Sequence, residues 1–227
     1  MSSGPSVASA RVSGVSERTS TDWNEWHDAY ARPGSGLADR LAAVREHIGR
    51  RLDDLAPRPV KVVSACAGDG RDLLGVLAER PDADRVSALL VEYDGRLVAD
   101  ARAAAQGLPA TVEVREGDAA DSDAYADAVP ADLVLLCGIF GNVSDDDVRT
   151  TIAAAPQLCS PGAEVVWTRH RGEPDLTPSI RGWFAEAGFE EVAFVAPADA
   201  QWSVGVARLV AEPRPLQPGR HWFTFVR

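Results

Sequence analysis

The residues best suited to chemistry begin at position 60. "VKVVSACAGDGRDLLGVLAER", residues 60–80, is an apolar run that breaks into Ala67-Gly68-Asp69-Gly70 and then resumes. It reads as a strand feeding a glycine turn that feeds a helix. Gly68 and Gly70 let the backbone approach a ligand and adopt positive φ. The N–H groups at the helix start have no partner within the helix. Such a turn suits a nucleotide-like ligand, and its charges narrow the choice. Asp69 and Asp72 put two carboxylates where a pyrophosphate would lie, with only Arg71 to offset them. The spacing is not G-x-G-x-x-G either, because Cys66 stands where the first glycine would be. A ligand carrying a sulfonium and an ammonium meets no such repulsion. Asp72 also reads as a plain helix-terminus residue, favoured there by the macrodipole.

Other reactive side chains are few. The four histidines are His27, His47, His170 and His221. His47 lies in a charged helical stretch and reads as solvent-facing; His221 opens a strand-like segment and reads as structural. His170 follows a strand, and His27 sits among aromatics. The three cysteines, Cys66, Cys137 and Cys159, are odd in number and widely spaced, which gives neither a disulfide frame nor a metal-ligand pattern. Reduced thiols in a cytoplasmic protein are the expectation. The N-terminus lacks the apolar core of a signal peptide, and no run of 18 apolar residues exists.

These residues need a scaffold, and the pattern describes one. From residue 60 strands and helices alternate: "VKVVSA", "RVSALLVE", "TVEVREG", "ADLVLLCG" and "AEVVWTR" read as strands, each followed by a helical stretch, and "FEEVAFVA" as a sixth strand. The central strands are nearly continuous apolar runs, as expected where helices cover both faces of a parallel sheet. "HWFTFV", residues 221–226, alternates and reads as the last, antiparallel strand. "SVGVARLVAEPRPLQPG", between the last two strands, fits no element. Upstream, "SGLADRLAAVREHIGRRLDDL" carries Leu37, Leu41, Val44, Ile48 and Leu52 at helical spacing. "TDWNEWHDAYARP" predicts a short aromatic helix ended by Pro33, and the Ser-rich residues 1–20 a disordered tail.

The expected fold is therefore α/β: a Rossmann-like three-layer sandwich with a mostly parallel seven-stranded sheet, an antiparallel last strand and added N-terminal helices. Residues 21–227 form one domain, with 21–55 a helical cap and 56–227 the core. The net charge of −11 and the absence of a basic patch longer than "RHR" speak against a nucleic-acid partner. No membrane contact is expected, and a monomer or homodimer suffices.

Several motifs follow in order along residues 60–196. "SACAGDG" is the glycine turn. "LLVEYDGRLVADARAA" ends a second strand on Glu92, with Asp94 two residues on. "GDA", residues 117–119, follows the third strand. "DLVLLCGIFGNV" runs from Asp132 to Cys137-Gly138, and "LCSPGAEVVWTR" turns at Pro-Gly into the fifth strand. In this order and spacing they resemble the S-adenosylmethionine-dependent methyltransferases with a seven-stranded Rossmann-like sheet. The resemblance implies S-adenosylmethionine as cofactor. It implies that Cys66, Ala67, Gly68, Asp69, Gly70 and Asp72 form the turn beside it, with Asp69 or Asp72 standing in for the acidic residue that Ser64 replaces. It implies ribose bonds to Glu92, flanked by Tyr93, an adenine amino group on Asp118 beside Ala119, and Cys137-Gly138 near the sulfonium.

For the methyl acceptor the residues say less. His170 and His27 are the candidate catalytic bases, and Trp26, Tyr30, Asn142 and Arg169 the candidate substrate contacts. Asn142 also reads as the start of a turn before a Ser144 helix cap. The absence of Asn-Pro-Pro-Tyr at "GNVS" speaks against amino-group chemistry on adenine, and a small-molecule acceptor is expected. Trp23, Trp26 and Tyr30 fall on one helix face, which predicts either core packing or a lid over the carboxyl edge. Two alternatives stand beside this reading: a catalytically silent S-adenosylmethionine-binding partner subunit, and an NAD(P)-linked oxidoreductase.

Overall fold

The computed structural model describes residues 35–226. The tail and the aromatic helix expected from the sequence, with Trp26, His27 and Tyr30, therefore lie outside the described residues.

Ser35 caps the first helix, α1 (Gly36–Asp54): its side chain accepts from the Ala38 N–H at 3.1 Å. Strands and helices then alternate: β1 (Val60–Ala65), α2 (Leu73–Ala78), β2 (Val86–Glu92), α3 (Gly95–Ala105), β3 (Thr111–Glu116), β4 (Ala131–Leu136), α4 (Asp145–Ala154), β5 (Cys159–His170), α5 (Thr177–Glu186), β6 (Phe189–Val195) and β7 (Trp202–Leu209). The expected helix after β3 is a single 3-10 turn, Ser122–Tyr125.

The seven strands form one sheet in the order β3-β2-β1-β4-β5-β7-β6. β7 runs antiparallel to both neighbours and the other pairings are parallel. Alternate residues on each strand feed two separate cores. Val62, Leu90, Leu133 and Val166 pack with Ile48 and Leu52 of α1, Leu73 and Leu77 of α2, and Val98 of α3. Val63, Val91, Val134 and Trp167 pack with Ile152 of α4 and Phe184 of α5. This is the expected three-layer sandwich, each helical stripe covering one sheet face.

One strand assignment is corrected. The antiparallel strand is Trp202–Leu209, inside the stretch left without an element, and residues 221–226 are not a sheet strand. They make only two isolated bridges, Asp121 to His221 and Val143 to Phe225. The reason is burial. β7 lies between β5 and β6 and is buried on both faces, so it shows no alternation. In residues 221–226 the alternation does not mark a sheet strand: Trp222 and Phe223 are buried, and His221, Phe223, Thr224 and Phe225 line a cleft.

Candidate active site

Strand order reverses between β1 and β4, and in open α/β sheets a crevice opens there at the carboxyl ends of the strands. A cleft of about 580 Å³ occupies that place. This is a typical volume for a ligand pocket.

Its floor is the glycine turn. Gly68 and Gly70 have φ of +59° and +71°. Cys66 has φ +52° and is the one described residue other than glycine with positive φ, so the backbone keeps the left-handed bend where glycine is missing. A Cβ on Gly68 would meet nothing within 4 Å and would enter the cleft; one on Gly70 would fall 2.7 Å from Leu74 and Leu90. Gly68 therefore keeps space open for a ligand, while Gly70 packs the turn onto the core.

Two ties hold the turn. The Glu92 carboxylate at the end of β2 accepts the Gly68 N–H at 2.7 Å with Oε2, and the Tyr93 and Asp94 N–H groups at 2.9 Å with Oε1. On the other side, Arg45 of α1 donates through Nε and Nη2 to the Arg71 carbonyl at 3.0 and 2.5 Å. Gly75 makes room for that guanidinium, since a Cβ there would collide with it.

The two aspartates of the turn separate into different roles. Asp69 is held by Arg71, whose Nε lies 2.8 Å from Oδ1 and whose Nη2 lies 2.5 Å from Oδ2. Asp72 is the N-cap of α2 and accepts the Leu73 N–H at 2.7 Å. It lines the cleft, and no cation forms an ion pair with it among the described residues. Burial raises its carboxyl above the ordinary 3.8, against the lowering by the Leu73 N–H. Asp94 caps α3, its Oδ1 accepting the Arg96 and Leu97 N–H groups, and like Glu92 it lines the cleft.

The loops after β3 and β4 complete the walls. Asp118 accepts the Ala120 N–H at 2.9 Å, and buried Tyr125 donates to the Ala119 carbonyl at 2.6 Å. After β4, the buried Thr168 hydroxyl accepts the Gly138 N–H at 2.9 Å, and Asn142 donates to the Gly138 carbonyl at 2.7 Å. Asp132, at the start of β4, accepts the Lys61 N–H and bonds Arg58 and Ser160. It sits at the opposite edge of the sheet.

Every residue expected to hold the cofactor lines the cleft except Gly70, and so does Asn142. His170 and Arg169 are not among the described residues that line it. His170 is exposed at the end of β5 and its Nδ1 accepts the Gly172 N–H at 2.9 Å; Arg169 donates to the Phe140 carbonyl. β5 turns the side chain before them, Thr168, toward the cleft instead. Cys66 and Cys137 line the cleft but burial pushes both thiols far up, and that of Cys159 to about 12, so none is an ionised nucleophile at neutral pH.

Sequence reasoning missed the wall made by His221, Phe223, Thr224 and Phe225. His221 Nδ1 lies 2.7 Å from Asp121 Oδ1, and that bond raises the imidazole above its ordinary 6.5. The alternation of "HWFTFV" was the available signal: it places His221, Phe223 and Phe225 on one side. It reads as the last strand of the sheet, whereas these residues line the cleft.

A family model described as "Putative methyltransferase" matches residues 34–182. No curated protein matches the chain. Among solved structures, a protein from Bordetella parapertussis described as a possible exported protein is 20% identical, with a TM-score of 0.57 over 76% of this chain and 68% of that one. The magnesium protoporphyrin IX methyltransferase of Synechocystis PCC 6803, solved with bound SAH, is 12% identical, with a TM-score of 0.64 over 84% of this chain and 94% of that one. An O-methyltransferase family protein from Burkholderia thailandensis is 19% identical, with a TM-score of 0.56 over 83% of this chain and 70% of that one. At these identities the likeness is one of fold. No helix among the described residues is long and apolar enough to cross a membrane.

Proposed function

Because the chain belongs to this methyltransferase family, we propose that it moves a methyl group from S-adenosylmethionine to a small-molecule acceptor. The observation that carries the reading is Asp72: a carboxylate in the cleft, raised by burial, with no cation in ion-pair contact among the described residues. Such a group fits an ammonium and repels a phosphate. A nicotinamide dinucleotide would place its pyrophosphate against this group.

In this reading the cleft positions rather than activates. S-adenosylmethionine, when bound, supplies a methyl group on a sulfonium, open to in-line attack. Asp72 holds the amino group of the methionine part. Glu92 takes the ribose hydroxyls on the lone pairs its backbone contacts leave free, and Asp118 takes the amino edge of the base. Gly138, fixed by Thr168 and Asn142, sets the backbone beside the reacting centre. Holding donor and acceptor in line with water excluded is sufficient for large acceleration. A small acceptor is supported by the cleft volume of about 580 Å³ and by the net charge of −11.

The test has two stages. S-adenosylhomocysteine at about 100 times its dissociation constant adds about 2.7 kcal/mol, which for a chain of this size raises the melting temperature by roughly 5–10 °C. NADH gives no shift. Absence of a shift with millimolar S-adenosylhomocysteine or S-adenosylmethionine sinks the reading. An acceptor screen with radiolabelled methyl donor over metabolite fractions then separates an enzyme from a silent binding subunit.

Glu92 gives a second check. Glu92→Ala weakens S-adenosylhomocysteine by about 1.5–3 kcal/mol, the range for hydrogen bonds to a charged group. Glu92→Gln costs less, because one oxygen still accepts backbone N–H groups. If Asp94→Ala does the damage and Glu92→Ala is silent in calorimetry, the ribose sits two residues further on.

A further inference from the structure

After β7 the chain turns back and returns to the cleft. Arg214 N–H donates to the Pro156 carbonyl as the chain passes the end of α4. From there a ladder of bonds carries it to the carboxyl edge. Gly219 N–H donates to Asp123 at 2.9 Å, Arg220 N–H to the Ser122 hydroxyl at 2.9 Å, and Trp222 N–H to the Ala120 carbonyl at 3.0 Å. Val226 N–H donates to the Asn142 carbonyl at 2.8 Å. Residues 219–226 thus span the loop after β3 and the loop after β4, both of which line the cleft.

The side chains divide by position. Trp222 is 6% exposed and stacks on Tyr125, with centroids 5.7 Å apart at 14°. This anchors the segment on the core. Phe223 is buried in the same core with its edge on the cleft, and Phe225 packs on it edge to face, with centroids 5.7 Å apart at 89°. Phe225 remains 43% exposed. A bulky apolar ring left open inside a cleft is a surface that a flat apolar ligand covers favourably. His221, tied to Asp121, brings these rings to the same loop as Asp118.

We propose that residues 219–226 form part of the cofactor site, with Phe225, backed by the buried Phe223, giving the apolar face against which the adenine ring packs. This rests on the S-adenosylmethionine reading above. Adenine is favoured over an acceptor ring because residues 219–222 are bonded to residues 120–123, directly after Asp118: one ligand then presents its amino edge to Asp118 and its face to Phe225.

The test uses the full chain with Phe225→Ala and Phe223→Leu, and reads S-adenosylhomocysteine and adenosine by calorimetry. Phe225→Ala keeps the wild-type melting temperature without ligand, because its ring is open. Removing a stacked ring weakens both ligands by a common factor of about 5 to 100. Wild-type affinity for S-adenosylhomocysteine, within about twofold, in both variants overturns the inference and leaves the cofactor reading intact. Weakened S-adenosylhomocysteine with unchanged adenosine also overturns it, since the rings then touch another part of the ligand. If the wild-type protein binds neither compound, the cofactor reading itself falls and the inference falls with it.

Discussion

Replacing Asp72 by asparagine weakens S-adenosylhomocysteine by about 10- to 150-fold, the equivalent of about 1.5–3 kcal/mol for a lost charge-assisted hydrogen bond. The same change leaves 5′-methylthioadenosine binding as in the wild type, because that ligand has no ammonium. The contrast follows from the division of labour in the turn. Asp69 is neutralised by Arg71, at 2.8 and 2.5 Å, and has little to offer a cation. Asp72 spends one contact on the Leu73 N–H and faces the cleft. Asparagine keeps an oxygen for that N–H and removes only the charge.

Stability without ligand moves the other way. Burial raises the Asp72 carboxyl above the 3.8 of the unfolded chain. The unfolded chain therefore loses its proton first as pH rises. The cost to the native state begins near 3.8 and is complete above the raised native value. Ligand-free Asp72→Asn accordingly melts higher than wild type at neutral pH, and the difference disappears below 3.8. A site residue that costs stability without its ligand is a common exchange of stability for binding. Equal weakening of both ligands in calorimetry refutes the assignment, since the damage would then lie in the shape of the turn.

The glycine turn, Glu92 and the alternation of β1 to β5 were legible because local sequence determines them: an apolar run, a glycine pair and a capping aspartate each act within a few residues. Three features were not legible, and each depends on contacts distant in sequence. Thr168 reaches the cleft because β5 lies beside β4 and its hydroxyl meets Gly138, 30 residues away. His170 looked better placed by sequence, yet it points away and bonds its own loop. The segment 221–226 joins the cleft only because β7 delivers the chain to the far edge and the 210–220 stretch carries it back. Nothing in "HWFTFV" itself encodes Asp121 as the partner of His221, 100 residues away.

β7 carries one glycine, Gly205, and it supports the largest expected loss of stability. Gly205 pairs with Trp167 on β5 and with Phe194 on β6. These two rings meet with centroids 5.9 Å apart, closing over the strand between them. A Cβ at 205 would lie 2.5 Å from the indole Nε1 and closer still to Cε2 and Cζ2. The indole cannot shift without disturbing its own aromatic packing. It is 2% exposed and stacks on Phe184 at 5.9 Å and 17°. Glycine usually weakens a strand interior, but here cross-strand aromatics take the place of its missing side chain. Gly205→Ala therefore costs about 1–3 kcal/mol through overpacking, a fall in melting temperature of roughly 3–10 °C; Gly205→Val costs more. The displaced indole pushes on β5, so Thr168, the next residue, loosens its hold on Gly138 and S-adenosylhomocysteine weakens with it. Combining Gly205→Ala with Trp167→Leu tests the cause. The double variant should be less destabilised than the sum of the singles by about 1 kcal/mol, the coupling expected of residues in contact. Additive losses, or a Gly205→Ala protein that melts with the wild type, would show that the sheet absorbs the methyl group without moving the indole.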